Sequence, residues 1–95
     1  MNYLLPNTPE AERLQKAKAI DIREPHERIG APESILSMPN VPMNEWHTIP
    51  DRFPERPLVL CCAAGVRTRY CLEQLGHPEG IHAWIGSIED WSCRP

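Results

Sequence analysis

The sequence predicts an α/β fold, a mostly parallel five-stranded sheet with helices on both faces. Three observations carry this expectation. Short apolar runs of strand length alternate with short helical patterns along the chain, the order that builds parallel sheets. The run Leu58-Val59-Leu60-Cys61 is continuously apolar, as in a strand buried on both faces. Eleven prolines lie mostly between candidate elements, at 25, 32, 39, 42, 50, 54, 57 and 78 among others, and so act as punctuation.

Tyr3-Leu4-Leu5 reads as a short first strand closed by Pro6. Thr8-Pro9-Glu10 is a helix start, with a hydroxyl cap, proline at the first position and an acid in the first turn. Lys16 and Lys18 suit the negative end of that helix. Ala19-Ile20-Asp21-Ile22 is the second strand, stopped by Glu24-Pro25. Ser34 to Met38 is expected as a third strand, and Val41 to Ile49 as a short helix capped by Asn44. Pro50 to Pro57 reads as a proline-spaced connector. The strand at 58–61 leads into a helix from Val66 or Arg67 to Leu75, ended by Gly76 with Pro78 beyond. Ile81 to Ile85 is the fifth strand, and Ser87-Ile88-Glu89-Asp90 caps a last helix bearing Trp91.

Ninety-five residues suffice for one small core, so residues 1–95 are expected to form a single domain. The formal net charge of -3 offers no broad basic surface for nucleic acid. No apolar run is long enough to span a membrane. Residues 1–6 lack a basic segment followed by an apolar stretch, so no secretory signal is expected there. Four cysteines, at 61, 62, 71 and 93, fit neither a disulfide scaffold nor paired zinc ligands. Free thiols in a reducing, cytoplasmic compartment are the expectation. His26, His47, His77 and His82 share no metal-ligand spacing, so no metal site is expected. Trp46, Trp84 and Trp91 are expected as core anchors or pocket walls.

The segment Cys62-Ala63-Ala64-Gly65-Val66-Arg67 is the most informative. It places a thiol on a tight loop of small residues, after a strand and before a helix N-terminus. Backbone N–H groups and the positive end of the helix dipole converge at such a point. That field favours the thiolate, which is the nucleophile. Cys61 belongs to the strand and is expected in the core. Cys71 shares a helix face with Thr68, Leu72 and Leu75 and is also expected in the core, its other reading being a resolving thiol for Cys62. Cys93 carries no argument.

These residues resemble a known family. Asp21-Ile22-Arg23-Glu24 is similar to the aspartate-hydrophobic-arginine motif of rhodanese domains, and Val41-Pro42 to their small apolar-proline step. Leu58 to Thr68 resembles the rhodanese active-site strand and loop, including its cysteine, glycine, arginine and small hydroxyl residue. Gly86 to Trp91 resembles the family's glycine-glycine-hydrophobic-x-x-tryptophan ending, with Ser87 in place of the second glycine. The family's histidine-isoleucine-proline-glycine-alanine segment is rewritten here as Arg28-Ile29-Gly30-Ala31-Pro32. The resemblance runs from about residue 3 to 91 and implies a rhodanese-like fold.

It also implies sulfurtransferase chemistry. Cys62 would attack the outer sulfur of a donor such as thiosulfate or a persulfide. The resulting Cys62 persulfide would be cradled by the N–H groups of Ala63, Ala64, Gly65, Val66 and Arg67. A thiophilic acceptor, cyanide or a thiol, would then remove the sulfur in a two-step covalent cycle. Arg67 would hold an anionic donor or brace the loop, with Asp21 as its expected carboxylate partner. Thr68 supports the loop. Neither metal nor organic cofactor is implied. In cysteine phosphatases, and in the phosphatase-like branch of this fold, the cysteine-to-arginine spacing is one residue longer than the four intervening residues here, so the shorter loop favours sulfur over phosphate. Two other functions stay open: a non-catalytic binding or regulatory module on the same fold, and a carrier passing persulfide sulfur to a protein partner.

Overall fold

A computed structural model describes residues 2–93. Met1, Arg94 and Pro95, the ends of the expected 1–95 unit, lie outside the described residues. The strands are β1 (Tyr3–Leu4), β2 (Lys18–Asp21), β3 (Leu58–Cys62) and β4 (Ile81–Ser87). The helices are α1 (Pro9–Arg13), α2 (Glu33–Leu36), α3 (Ile49–Arg52), α4 (Val66–Leu75) and α5 (Ile88–Ser92). Two 3-10 turns cover Pro25–Arg28 and Met43–Thr48. The strands form one sheet of order β1-β4-β3-β2, and every pairing is parallel.

The sheet therefore has four strands, not the five expected. Ser34 to Met38 does not form a strand; α2 occupies Glu33–Leu36 instead. Pro32 is the residue just before the first turn of α2 and Glu33 places an acid in that turn, where it meets the positive end of the helix dipole. Ile35 turns inward at full burial. What remains of strand pairing in this region is one isolated parallel bridge, Asp21 to Asn40. The expected helix at 41–49 is a 3-10 turn capped by Pro42 rather than Asn44. The connector at 50–57 begins as a helix, because Pro50 falls in the first turn of α3, where its missing N–H costs nothing.

Local signals explain the other elements. Thr8 caps α1 by accepting from the Ala11 N–H at 3.2 Å. Ser87 caps α5 by accepting from the Asp90 N–H at 3.1 Å. Gly76 ends α4 in the left-handed region with φ 81°, a conformation glycine adopts without Cβ strain. No helix among the described residues is long and apolar enough to cross a membrane.

Side chains alternate across the central strands. Ile20, Leu58, Leu60, Cys62, Ile81 and Ala83 enter one core layer, covered by Cys71 and Leu72 of α4 and by Val41 and Ile49. Val59, Cys61 and Trp84 enter the other, with Ala11, Ile35, Ile88 and Trp91. Trp84 and Trp91 meet edge to face at 5.1 Å. Helices thus cover both sheet faces, and all five residues of β3 are buried.

The carboxyl ends of the strands bring Asp21, Cys62 and Ser87 to one edge. Between Leu60 and Cys62 the β3–β4 register shifts, so Cys62 pairs with Ser87. Leu60→Ala, at the fully buried centre of the sheet, is expected to lose about 2–5 kcal/mol. Urea unfolding checks this as a lower midpoint at unchanged slope.

Candidate active site

Cys62 is the last residue of β3, one step further into the strand than expected. Ala63, Ala64 and Gly65 carry the chain from the strand to α4. Gly65 caps α4 with φ 89°. A Cβ there would stand 3.0 Å from the Ile85 Cα and 3.2 Å from the Gly86 nitrogen. Backbone cannot yield as a flexible side chain can, so this position requires glycine on both conformational and steric grounds. The tight fit aims the Gly65 N–H at Cys62 Sγ, 3.0 Å away.

Cys62 is only 1% exposed, and burial pushes its thiol pKa up. The amides of Thr68, Ala64, Gly65 and Arg67 act against burial and outweigh it, so the pKa is lowered. The contributing amides differ from the expected span of Ala63 to Arg67. They begin at Ala64 and reach Thr68, since the first turn of α4 supplies its free donors. Burial and the nearby Asp21 charge hold Cys61 well above the usual thiol range. Burial, with Cys62 close by, raises Cys71 to about 12. Cys61 and Cys71 are fully buried, in opposite core layers, and Cys93 is exposed.

Thr68 is fully buried. Its Oγ1 lies 3.1 Å from the Gly65 carbonyl, 3.0 Å from the Trp84 carbonyl and 4.0 Å from Cys62 Sγ. The hydroxyl hydrogen tethers the loop to β4 from below. Ala63, Ala64 and Val66 face outward, Val66 at 73% exposure.

The expected Asp21–Arg67 pair does not form. The fully buried Asp21 carboxylate accepts from the Arg23 backbone N–H at 2.9 Å, Nε at 3.1 Å and Nη2 at 3.2 Å. Arg28 Nε lies 3.3 Å from Oδ2, the oxygen that also accepts from Arg23 Nη2. Two nearby guanidinium groups thus occupy the carboxylate, and Arg28 Nη2 goes on to the carbonyls of Ile35 and Met38 at 2.8 and 2.7 Å. Asp21 joins β2 to the 25–28 turn and, through Arg28, to α2.

Arg67 instead donates both terminal nitrogens to Glu27, at 2.6 and 2.9 Å. Glu27 also accepts from the Glu24 backbone N–H at 2.8 Å, completing a capping box on the 25–28 turn. The Arg67 hydrogen bonds hold Glu27 down at about 2. Sequence reasoning missed this residue. The Glu24-Pro25-His26-Glu27 capping spacing was its available signal, but its cation lies forty residues away. Arg69 turns from the loop and lies 5.3 Å over the Tyr3 ring.

Two outcomes follow. Thiolate absorbance against pH, taken as wild type minus Cys62→Ser, is expected to rise at a pH below the ordinary thiol range. Gly65→Ala, which disturbs the 3.0 Å amide contact, moves that rise to higher pH and costs about 1–3 kcal/mol of stability. The Glu27–Arg67 pair has a depressed carboxyl pKa. Its stabilisation is therefore complete above the unfolded glutamate value and is lost as pH falls towards about 2. Glu27→Gln should lower the urea midpoint at neutral pH and cease to matter near the acid limit.

No family model and no curated protein matches the chain. Solved structures do. It is similar to a rhodanese-related protein from Thermoplasma volcanium, with 24% identity over 96% of this chain and 90% of that one and a TM-score of 0.68. A rhodanese homologue from the extremely thermophilic bacterium Thermus thermophilus is 19% identical over 94% and 99% of the two chains, with a TM-score of 0.65. A human single-domain sulfurtransferase is 19% identical over 96% and 95%, with a TM-score of 0.62. Strand order, helix placement and these likenesses agree: the chain has the rhodanese-like fold.

Proposed function

We propose that the protein is a sulfurtransferase, acting as one domain and moving sulfane sulfur through a persulfide on Cys62. The observation that carries this reading is a nearly buried thiol whose pKa the surrounding amides nonetheless lower. A structural core cysteine has no such donors and is pushed upward, as Cys61 and Cys71 are. The similarity to a human sulfurtransferase is consistent with it.

The Cys62 thiolate attacks the outer sulfur of the donor, forming a Cys62 S–S bond while the donor's own S–S bond breaks. From thiosulfate the leaving group is sulfite; from a persulfide R–S–SH it is the thiolate RS⁻. The terminal sulfur shares the amides of the loop, which were pre-aimed by Gly65 and held by Thr68. No solvent need reorganise as charge moves onto that sulfur. Cyanide then takes the sulfur as thiocyanate, or a thiol takes it as a persulfide, and the Cys62 thiolate returns. A small-molecule or protein thiol serves equally in this step. Narrow access to Cys62 suits a single terminal atom, and the cradle suits one sulfur rather than a phosphoryl group with three oxygens.

Intact mass after incubation with thiosulfate or an organic hydropersulfide is expected to rise by one sulfur atom and to fall back on addition of cyanide. Cys62→Ser should gain none. Absence of uptake from both donors by the wild type sinks the proposal.

A further inference from the structure

The loop carries one cationic side chain, Arg67, and it is engaged. Two hydrogen bonds bind it to Glu27, and both side chains are about three-quarters covered. Glu27 is itself fixed by the Glu24 N–H, so it cannot easily swing away when a donor arrives. The neighbouring guanidinium groups, Arg23 and Arg28, face the Asp21 carboxylate. The exposed residues of the loop beside Cys62 are Ala63, Ala64 and Val66. The exposed residues of the loop are thus small or apolar, and its one guanidinium is already paired.

Thiosulfate brings two negative charges and leaves as sulfite with two. A hydropersulfide brings at most one and leaves as a thiolate. Resting on the sulfur-transfer reading above, we propose that Glu27 sets donor choice. By cancelling Arg67 it disfavours dianionic thiosulfate and makes sulfane sulfur on an organic stem, R–S–SH, the preferred donor class. Glu27 is a specificity-determining residue that acts through Arg67 and need not touch the donor.

The test compares kcat/KM for thiosulfate with that for benzyl hydropersulfide, cyanide being the acceptor in both. Both donors react with the same thiolate, so their ratio removes any effect of a variant on Cys62 itself or on the folded fraction. Wild type should favour the hydropersulfide. Glu27→Gln should raise the thiosulfate-to-hydropersulfide ratio roughly fivefold or more, mainly through a lower KM for thiosulfate. Glu27→Gln combined with Arg67→Gln should return the ratio to the wild-type value. A second measurement needs no variant: the wild-type thiosulfate rate should depend only weakly on ionic strength, because the loop's own cation is already paired. An unchanged ratio in Glu27→Gln, a wild-type preference for thiosulfate, or a steep salt dependence in the wild type overturns the proposal. Failure of the wild type to take sulfur from either donor is a different result, and it removes the sulfur-transfer reading on which this one stands.

Discussion

The site depends on a balance at one atom. Burial of Cys62 Sγ opposes ionisation, and amides from the loop and the first turn of α4 favour it more strongly. Neither side of that balance is a side-chain property. The amides are pre-aimed because the chain passes from a parallel strand straight into a helix within three residues. Those three are small, and the last lies in the left-handed region against β4 backbone. Low local polarity raises the worth of each N–H contact as well as the cost of leaving the sulfur without them. A thiol can therefore be buried here and still have its ionisation favoured.

The supports beneath this balance are arranged in two tiers. Thr68 ties the loop to β4 from inside the core. Glu27 ties the start of α4 to the 25–28 turn from outside. Asp21 then holds that turn through Arg23 and Arg28, and Arg28 continues to the end of α2. A carboxylate at the end of β2 thus reaches the loop indirectly, through a second carboxylate, rather than by pairing with Arg67.

Much of this was legible in the sequence because it is written in local signals. Leu58 to Leu60 announced the buried strand, Thr8-Pro9-Glu10 and Ser87 the caps, and Gly76 the left-handed helix end. The passage from strand through a small-residue loop to a helix start at 58–66 was legible for the same reason, since these pieces are contiguous. The region from 33 to 52 was misread where short apolar runs admit either period. Ser34 to Met38 is too brief to distinguish strand from helix, and Pro32-Glu33 and Pro50 decided for helix. The partner of Arg67 lay beyond local reading altogether. Asp21 stood at the correct sheet edge, but closer arginines occupied it, and the choice between two carboxylates was made by tertiary geometry.

Cys61 and Cys62 are neighbours in sequence yet belong to different halves of the interior, since the pleat sends consecutive side chains to opposite faces of the sheet. Adjacent Cα atoms are also about 3.8 Å apart, short of the span over which a bridge between two sulfurs is relaxed. The two thiols are insulated from each other by the thickness of the backbone between them. An oxidant that reaches Cys62 finds no ready path to ring closure with its neighbour, so the doubled cysteine can persist here without being a self-quenching hazard.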